Sequence, residues 1–70
     1  MIRNDDELRA MWKRMSWFQN QLSLLREKEQ NPFNYHASAS GFLAELERME
    51  TEVREYLSVH PSELEAAGRS

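Results

Sequence analysis

Residues 8–25 read LRAMWKRMSWFQNQLSLL, and their apolar members Leu8, Met11, Met15, Phe18, Leu22 and Leu25 recur at steps of 3, 4, 3, 4 and 3. Successive helical residues turn by about 100°, so this spacing gathers all six onto one stripe. It is the heptad pattern of a helix that packs on another helix. A first helix is expected over 4–30. Asn4 can accept hydrogen bonds from the free N–H groups of the first turn, and Glu7 stands at capping-box spacing from it. Asp5, Asp6 and Glu7 suit the positive end of the helix dipole. Asn31-Pro32 closes the helix, because the residue before a proline avoids helical angles.

Beyond that stop, NPFNYHASAS reads by composition as a loop over 31–39, with Phe33 and Tyr35 expected to fold back over the open end of a hairpin. Ser38 or Ser40 is the expected cap of a second helix over 40–59, with Gly41 in its first turn. There Phe42, Leu46, Met49, Val53 and Tyr56 recur at steps of 4, 3, 4 and 3, and Leu43 and Leu57 widen the stripe. His60-Pro61 ends it. PSELEAAG then suggests one short helical turn over 62–67, capped by Ser62 with Glu65 and stopped at Gly68. No strand pattern occurs. The expected class is all-α, with residues 1–70 forming one domain: an antiparallel hairpin of two long helices and a short terminal turn. The expected helices differ in length, roughly 26 against 19 residues or about 39 against 29 Å, so two turns of the first overhang the second.

Seventy residues bury too little surface to be robust alone, and with no cysteine a disulfide is excluded as a staple. The start, with Arg3, Asp5, Asp6 and Glu7, shows no apolar leader or membrane span, so a cytoplasmic protein is expected. Nine Lys and Arg against twelve Asp and Glu give a net charge of −3, the wrong sign for a typical phosphate-binding domain. The imbalance is local. Residues 5–29 carry five charges of each sign, whereas residues 41–59 carry five glutamates against Arg48 and Arg54.

Trp12 and Trp17 stand about 140° apart around the first helix. Trp12 lies on a shoulder of the seam beside Leu8 and Met15. Ala10, Trp17 and Leu24 form a second line, spaced by seven and joined by Gln21, beyond the other shoulder. One antiparallel neighbour does not need so wide an apolar arc. The expected arrangement therefore gives the first helix two neighbours. Its own second helix covers Leu8, Met11, Met15, Phe18, Leu22 and Leu25, and a second copy covers Ala10, Trp17, Gln21 and Leu24. The product is a two-fold four-helix bundle. The intrachain alternative lays Trp17 on the loop aromatics or the terminal stub.

Chemistry-bearing residues are sparse. His36 and His60 belong to no Glu-x-x-His or His-x-x-x-His pair, so no metal or other cofactor is expected, nor a catalytic residue. Glu45, Glu52 and Glu55 are expected on the outer face of the second helix, where they suit a basic protein partner better than carboxylate catalysis. Glu47 and Glu50 flank the seam and could reach Arg14 or Lys28, while Glu50 and Arg54 form a favourable four-residue pair. Methionines at 11, 15 and 49 read first as core filler. Arg9, Lys13 and Arg14 form the basic cluster. It is read as a charged helix face, with a small nucleic-acid-associated regulator as the alternative function.

MIRNDDEL and LAELERMETEVREYLSV, through Ile2, Asn4, Glu7, Leu46, Met49, Glu52, Val53, Glu55 and Tyr56, resemble the amino-terminal helical hairpin of small prokaryotic regulators of the antitoxin and Xre type. In that family the hairpin precedes a helix-turn-helix domain, for which these 70 residues hold no counterpart. The resemblance therefore implies dimerisation or partner contact rather than DNA reading. The functional expectation is a non-enzymatic interaction module, homodimeric, with neither nucleic acid nor membrane as its partner.

Overall fold

The computed structural model describes residues 1–63. Two helices, α1 (Asp5–Lys28) and α2 (Pro32–Leu57), pack as an antiparallel hairpin, and no strand occurs among the described residues. Asn4 caps α1: its Oδ1 accepts from the Glu7 N–H at 2.8 Å, while Glu7 Oε1 accepts from the Arg3 N–H at 3.2 Å. The acidic first turn and basic last turn match the helix dipole at both ends.

The segment expected to be a loop, 31–39, is helical from Pro32 onward. Asn-Pro acts in both directions here. It bars α1 from continuing, and it also supplies a cap and a first residue for α2. Asn31 Oδ1 accepts from the Phe33 and Asn34 N–H groups at 2.9 and 3.4 Å. Proline at the first helical position loses no helical hydrogen bond and has the right φ. Neither Ser38 nor Ser40 is a cap; Ser40 Oγ donates to the Ala37 carbonyl from within the helix. Phe33 does not fold back over the hairpin, being 79% exposed in the first turn of α2. With these two turns added, α2 has 26 residues against 24 in α1, about 39 against 36 Å, so the expected overhang of α1 does not exist. Residues 29–31 make the turn, held by the Asn31 N–H donating to Glu29 Oε1 at 3.1 Å.

The longer α2 extends the seam backward. Tyr35, Ala39, Phe42, Leu46, Met49, Val53 and Tyr56 now follow at steps of 4, 3, 4, 3, 4 and 3. Ala39 is buried, where a larger side chain would keep the helices apart. Of the expected core, Leu8, Met49 and Val53 are buried; Met11, Met15, Phe18, Leu22, Leu25, Phe42, Leu46 and Tyr56 are half-buried. Ile2, outside both helices, is buried in one cluster with Leu8 and Val53. It works as a hydrophobic staple set one residue earlier than the usual position. Phe18 and Phe42 meet edge to face at 5.7 Å across the hairpin.

Gly41 falls in the third turn of α2 rather than the first. A Cβ added there meets nothing within 4 Å, and its φ is negative. Gly41→Ala is therefore expected to stabilise the hairpin by about 0.5–1 kcal/mol, read as a raised urea midpoint with an unchanged slope.

Past Ser58, residues 61–63 begin a further helical turn. His60 caps it, in place of Ser62: the Ser62 N–H donates to His60 Nδ1 at 3.1 Å, and Glu63 Oε2 accepts from the His60 N–H at 3.2 Å. The remainder of the turn expected over 62–67, with Glu65 and the Gly68 stop, lies outside the described residues.

Candidate interaction surface

α1 turns one side to α2 and the other to solvent. The seam residues centre on one line of the helix, and Trp17 and Leu24 lie about 130–150° around from it. Trp17 is 54% exposed and Leu24 43% exposed; Ala10 is also exposed and Gln21 half-buried. Among the described aromatic pairs, the ring partner of Trp17 is its neighbour Phe18, edge on at 5.1 Å, not Phe33 or Tyr35. The indole thus leans along its own helix and leaves its outer side uncovered. Trp12 is exposed on the opposite shoulder, and Leu43 and Leu57, expected to widen the α2 stripe into the core, are exposed as well.

The acidic residues of α2 are distributed differently from the expectation. Glu45 and Glu52 are half-buried on a flank of the seam, not on the outer face; Glu55 alone of the three is exposed. Glu45 accepts from the Arg48 guanidinium at 2.8 Å, and Glu52 lies 3.6 Å from the same guanidinium and 3.5 Å from the Met1 amino group. The Arg48 hydrogen bond, then its charge, then that of Arg14 on α1 hold the Glu45 carboxyl below its ordinary range. Glu45 is thus an acid of α2 near enough to α1 to feel the Arg14 charge, while its ion pair is with Arg48 on its own helix. Of the residues expected to reach across the seam, Glu47 is exposed and Glu50 pairs within its own helix, with Arg54 at 2.6 Å. Sequence spacing gave the correct partner for Glu50 but the wrong flank for the acid that approaches α1. Which edge of a stripe faces the neighbouring helix depends on the hand of packing, and one helix read alone does not contain it.

Glu52 and Glu55, with Ile2, Arg3, Tyr56 and Val59, border a groove of about 550 Å³ at the open end of the hairpin. Its rim carries both signs, the Met1 amino group and Arg3 beside Glu52 and Glu55, over an apolar floor of Ile2 and Val59. Tyr56 ties this end together: its O–H donates to Asp5 Oδ1 at 2.6 Å, across 51 residues of sequence. That hydrogen bond first, then burial, then the Asp5 charge raise the phenol above its ordinary value. Ionisation is thus harder in the folded chain, so the stabilisation is fully present below the ordinary phenol value near 10 and is lost as pH rises through the raised one. Tyr56→Phe is expected to be less stable at pH 7 and to lose most of the stability decline above pH 10, measured by urea unfolding across pH.

The basic cluster is partly engaged. Arg9 donates to Asp6 at 3.2 Å, and Arg14 lies close enough to Glu45 to influence it, leaving Lys13 exposed between them. His36 stands edge on to Tyr35 at 5.5 Å near the turn, and His60 serves its cap. Among the described residues no three His, Cys, Asp or Glu side chains gather closely enough to hold a metal ion, and no helix is long and apolar enough to cross a membrane. No protein-family model matches the chain, and comparison with curated proteins and with solved structures gives no match.

Proposed function

We propose that this protein is a non-enzymatic interaction module of the small regulatory or antitoxin-like kind: a hairpin that pairs with a second copy through the outer face of α1 and offers the acidic flank of α2 to a basic protein. The observation carrying the reading is the uncovered Trp17–Leu24 line on the side of α1 away from α2. A two-helix hairpin gives each helix one neighbour, and among the described residues only Ile2, Leu8, Ala39, Met49 and Val53 are buried as its apolar core. Domains of this size gain much of their stability from association. A second copy on α1 yields a four-helix assembly with the α1 helices inside and the α2 helices outside, so Glu55 stays open to the partner and Glu52 stays at the edge of the groove. Basic side chains from that partner would bind Glu55 and compete with the Met1 amino group for Glu52 beside Tyr56.

Sedimentation equilibrium tests the self-association. A dimer is expected at micromolar concentration, and a mass that stays monomeric at several hundred micromolar would overturn it. Partner binding is expected to weaken as salt rises, because Glu52 and Glu55 lie at the surface where screening is effective.

A further inference from the structure

We infer that the second copy lies antiparallel on α1, with the two-fold axis passing beside Trp17. The inference rests on the self-association proposed above and adds its register. Ala10 and Leu24 stand seven residues to either side of Trp17. In an antiparallel pair the two indoles meet at the axis, and each Leu24 covers the partner copy's small Ala10, so large faces small on both sides.

Charge follows the same symmetry. Asp6 and Lys28 lie eleven residues before and after Trp17, close to the same line of the helix, and in this register they oppose each other twice. Arg9 and Glu27 share one flank at nearly matching distances from the axis, and in antiparallel helices like flanks meet. Among the described residues Glu27 and Lys28 make no ion pair within the chain, whereas Asp6 and Arg9 pair with each other at 3.2 Å on the exposed surface, a contact of the weak kind that a second copy can exchange for its own charges. A parallel partner would set Asp6 on Asp6 and Lys28 on Lys28, a like-charge arrangement that disfavours it. Helix length agrees as well. α1 runs from Asp5 to Lys28, so its midpoint falls between Ser16 and Trp17 and the two copies overlap from end to end.

The chain has no cysteine, so Ala10→Cys and Leu24→Cys each introduce a single thiol. In this register residue 10 lies against residue 24 of the other copy, while two copies of either residue are about 21 Å apart along the axis. A disulfide needs Cα atoms within about 7 Å. Oxidising an equimolar mixture of the variants is expected to give a linked dimer, several-fold more than either variant alone. Leu24→Cys linking to itself would overturn the register in favour of a parallel one. No link in a mixture whose separate variants sediment as dimers would overturn the register while leaving self-association standing. A monomeric wild type removes both. Arg9→Glu and Glu27→Arg provide a check without thiols: each alone is expected to dimerise several-fold more weakly than wild type, and mixing the two to restore association. Mixing without restoration counts against the register.

Discussion

Met49→Ala is expected to leave the hairpin largely unfolded at room temperature. Among the described residues Met49 is the one large side chain with no solvent exposure, in the C-terminal half of α2. The pairing that sets Tyr56 opposite Asp5 and Phe42 opposite Phe18 puts Met49 level with Met11 and Trp12, between the open end and the Phe18–Phe42 contact. Truncating a buried methionine costs about 2–5 kcal/mol through lost transfer energy and an unfilled cavity. A core of this size rarely supplies more than about 3–5 kcal/mol in total. The two figures nearly cancel, so helical circular dichroism should fall by more than half in dilute solution. Leu43→Ala, six residues earlier on the same helix but exposed, is the contrast: its melting curve should lie within a few degrees of wild type. A Met49→Ala protein as stable as Leu43→Ala would mean that the hairpin is held together elsewhere.

That contrast also marks what the sequence could and could not disclose. α1 was legible because every local signal agreed: cap, acidic first turn, sustained 3–4 spacing and a proline stop. α2 was legible from Phe42 onward for the same reason. Its first two turns were not, although their seam residues Tyr35 and Ala39 continue the spacing without a break. Ser, Asn, Gly and Pro in NPFNYHASASG individually favour loops, and Pro32 fits the end of one helix as well as the start of the next. Tertiary burial decided between them, since Ala39 and Tyr35 lose solvent only if those turns are helical. Ile2 is absent from the expected core because it precedes the cap, where no periodicity applies. A lone apolar residue just ahead of Asn4 was the available sign. The acidic surface was misjudged for another reason. Glu45 and Glu52 stand only about 70–90° around α2 from the centre of its seam, where adjoining parts of the chain shield them in part. The uncovered tryptophan line was visible in the spacing itself, because the angular distance between Trp17 and the seam follows from the chain alone.

Trp17→Ala is expected to separate folding from association. A half-exposed indole whose described aromatic neighbour is Phe18 contributes little to the single hairpin beyond an edge contact of about 1 kcal/mol. Helicity at high concentration should therefore remain near that of wild type. Across a two-fold axis the same indole is used by both copies, and truncating a central tryptophan at an interface costs at least about 2 kcal/mol. The dimer dissociation constant should rise by about 30-fold or more, since about 1.4 kcal/mol corresponds to each factor of ten. Trp12→Ala removes the other indole, on the far shoulder of α1, and should change the constant by less than about threefold if Trp17 alone lies at the axis. The two variants also leave one tryptophan each, so fluorescence can follow them separately. Concentration-dependent emission is expected in Trp12→Ala, where Trp17 reports burial on pairing, and a nearly concentration-independent signal in Trp17→Ala. Loss of association in Trp12→Ala but not in Trp17→Ala would mean that α1 meets its partner over the Trp12 shoulder, and the outer face of Trp17 would lose its assigned role.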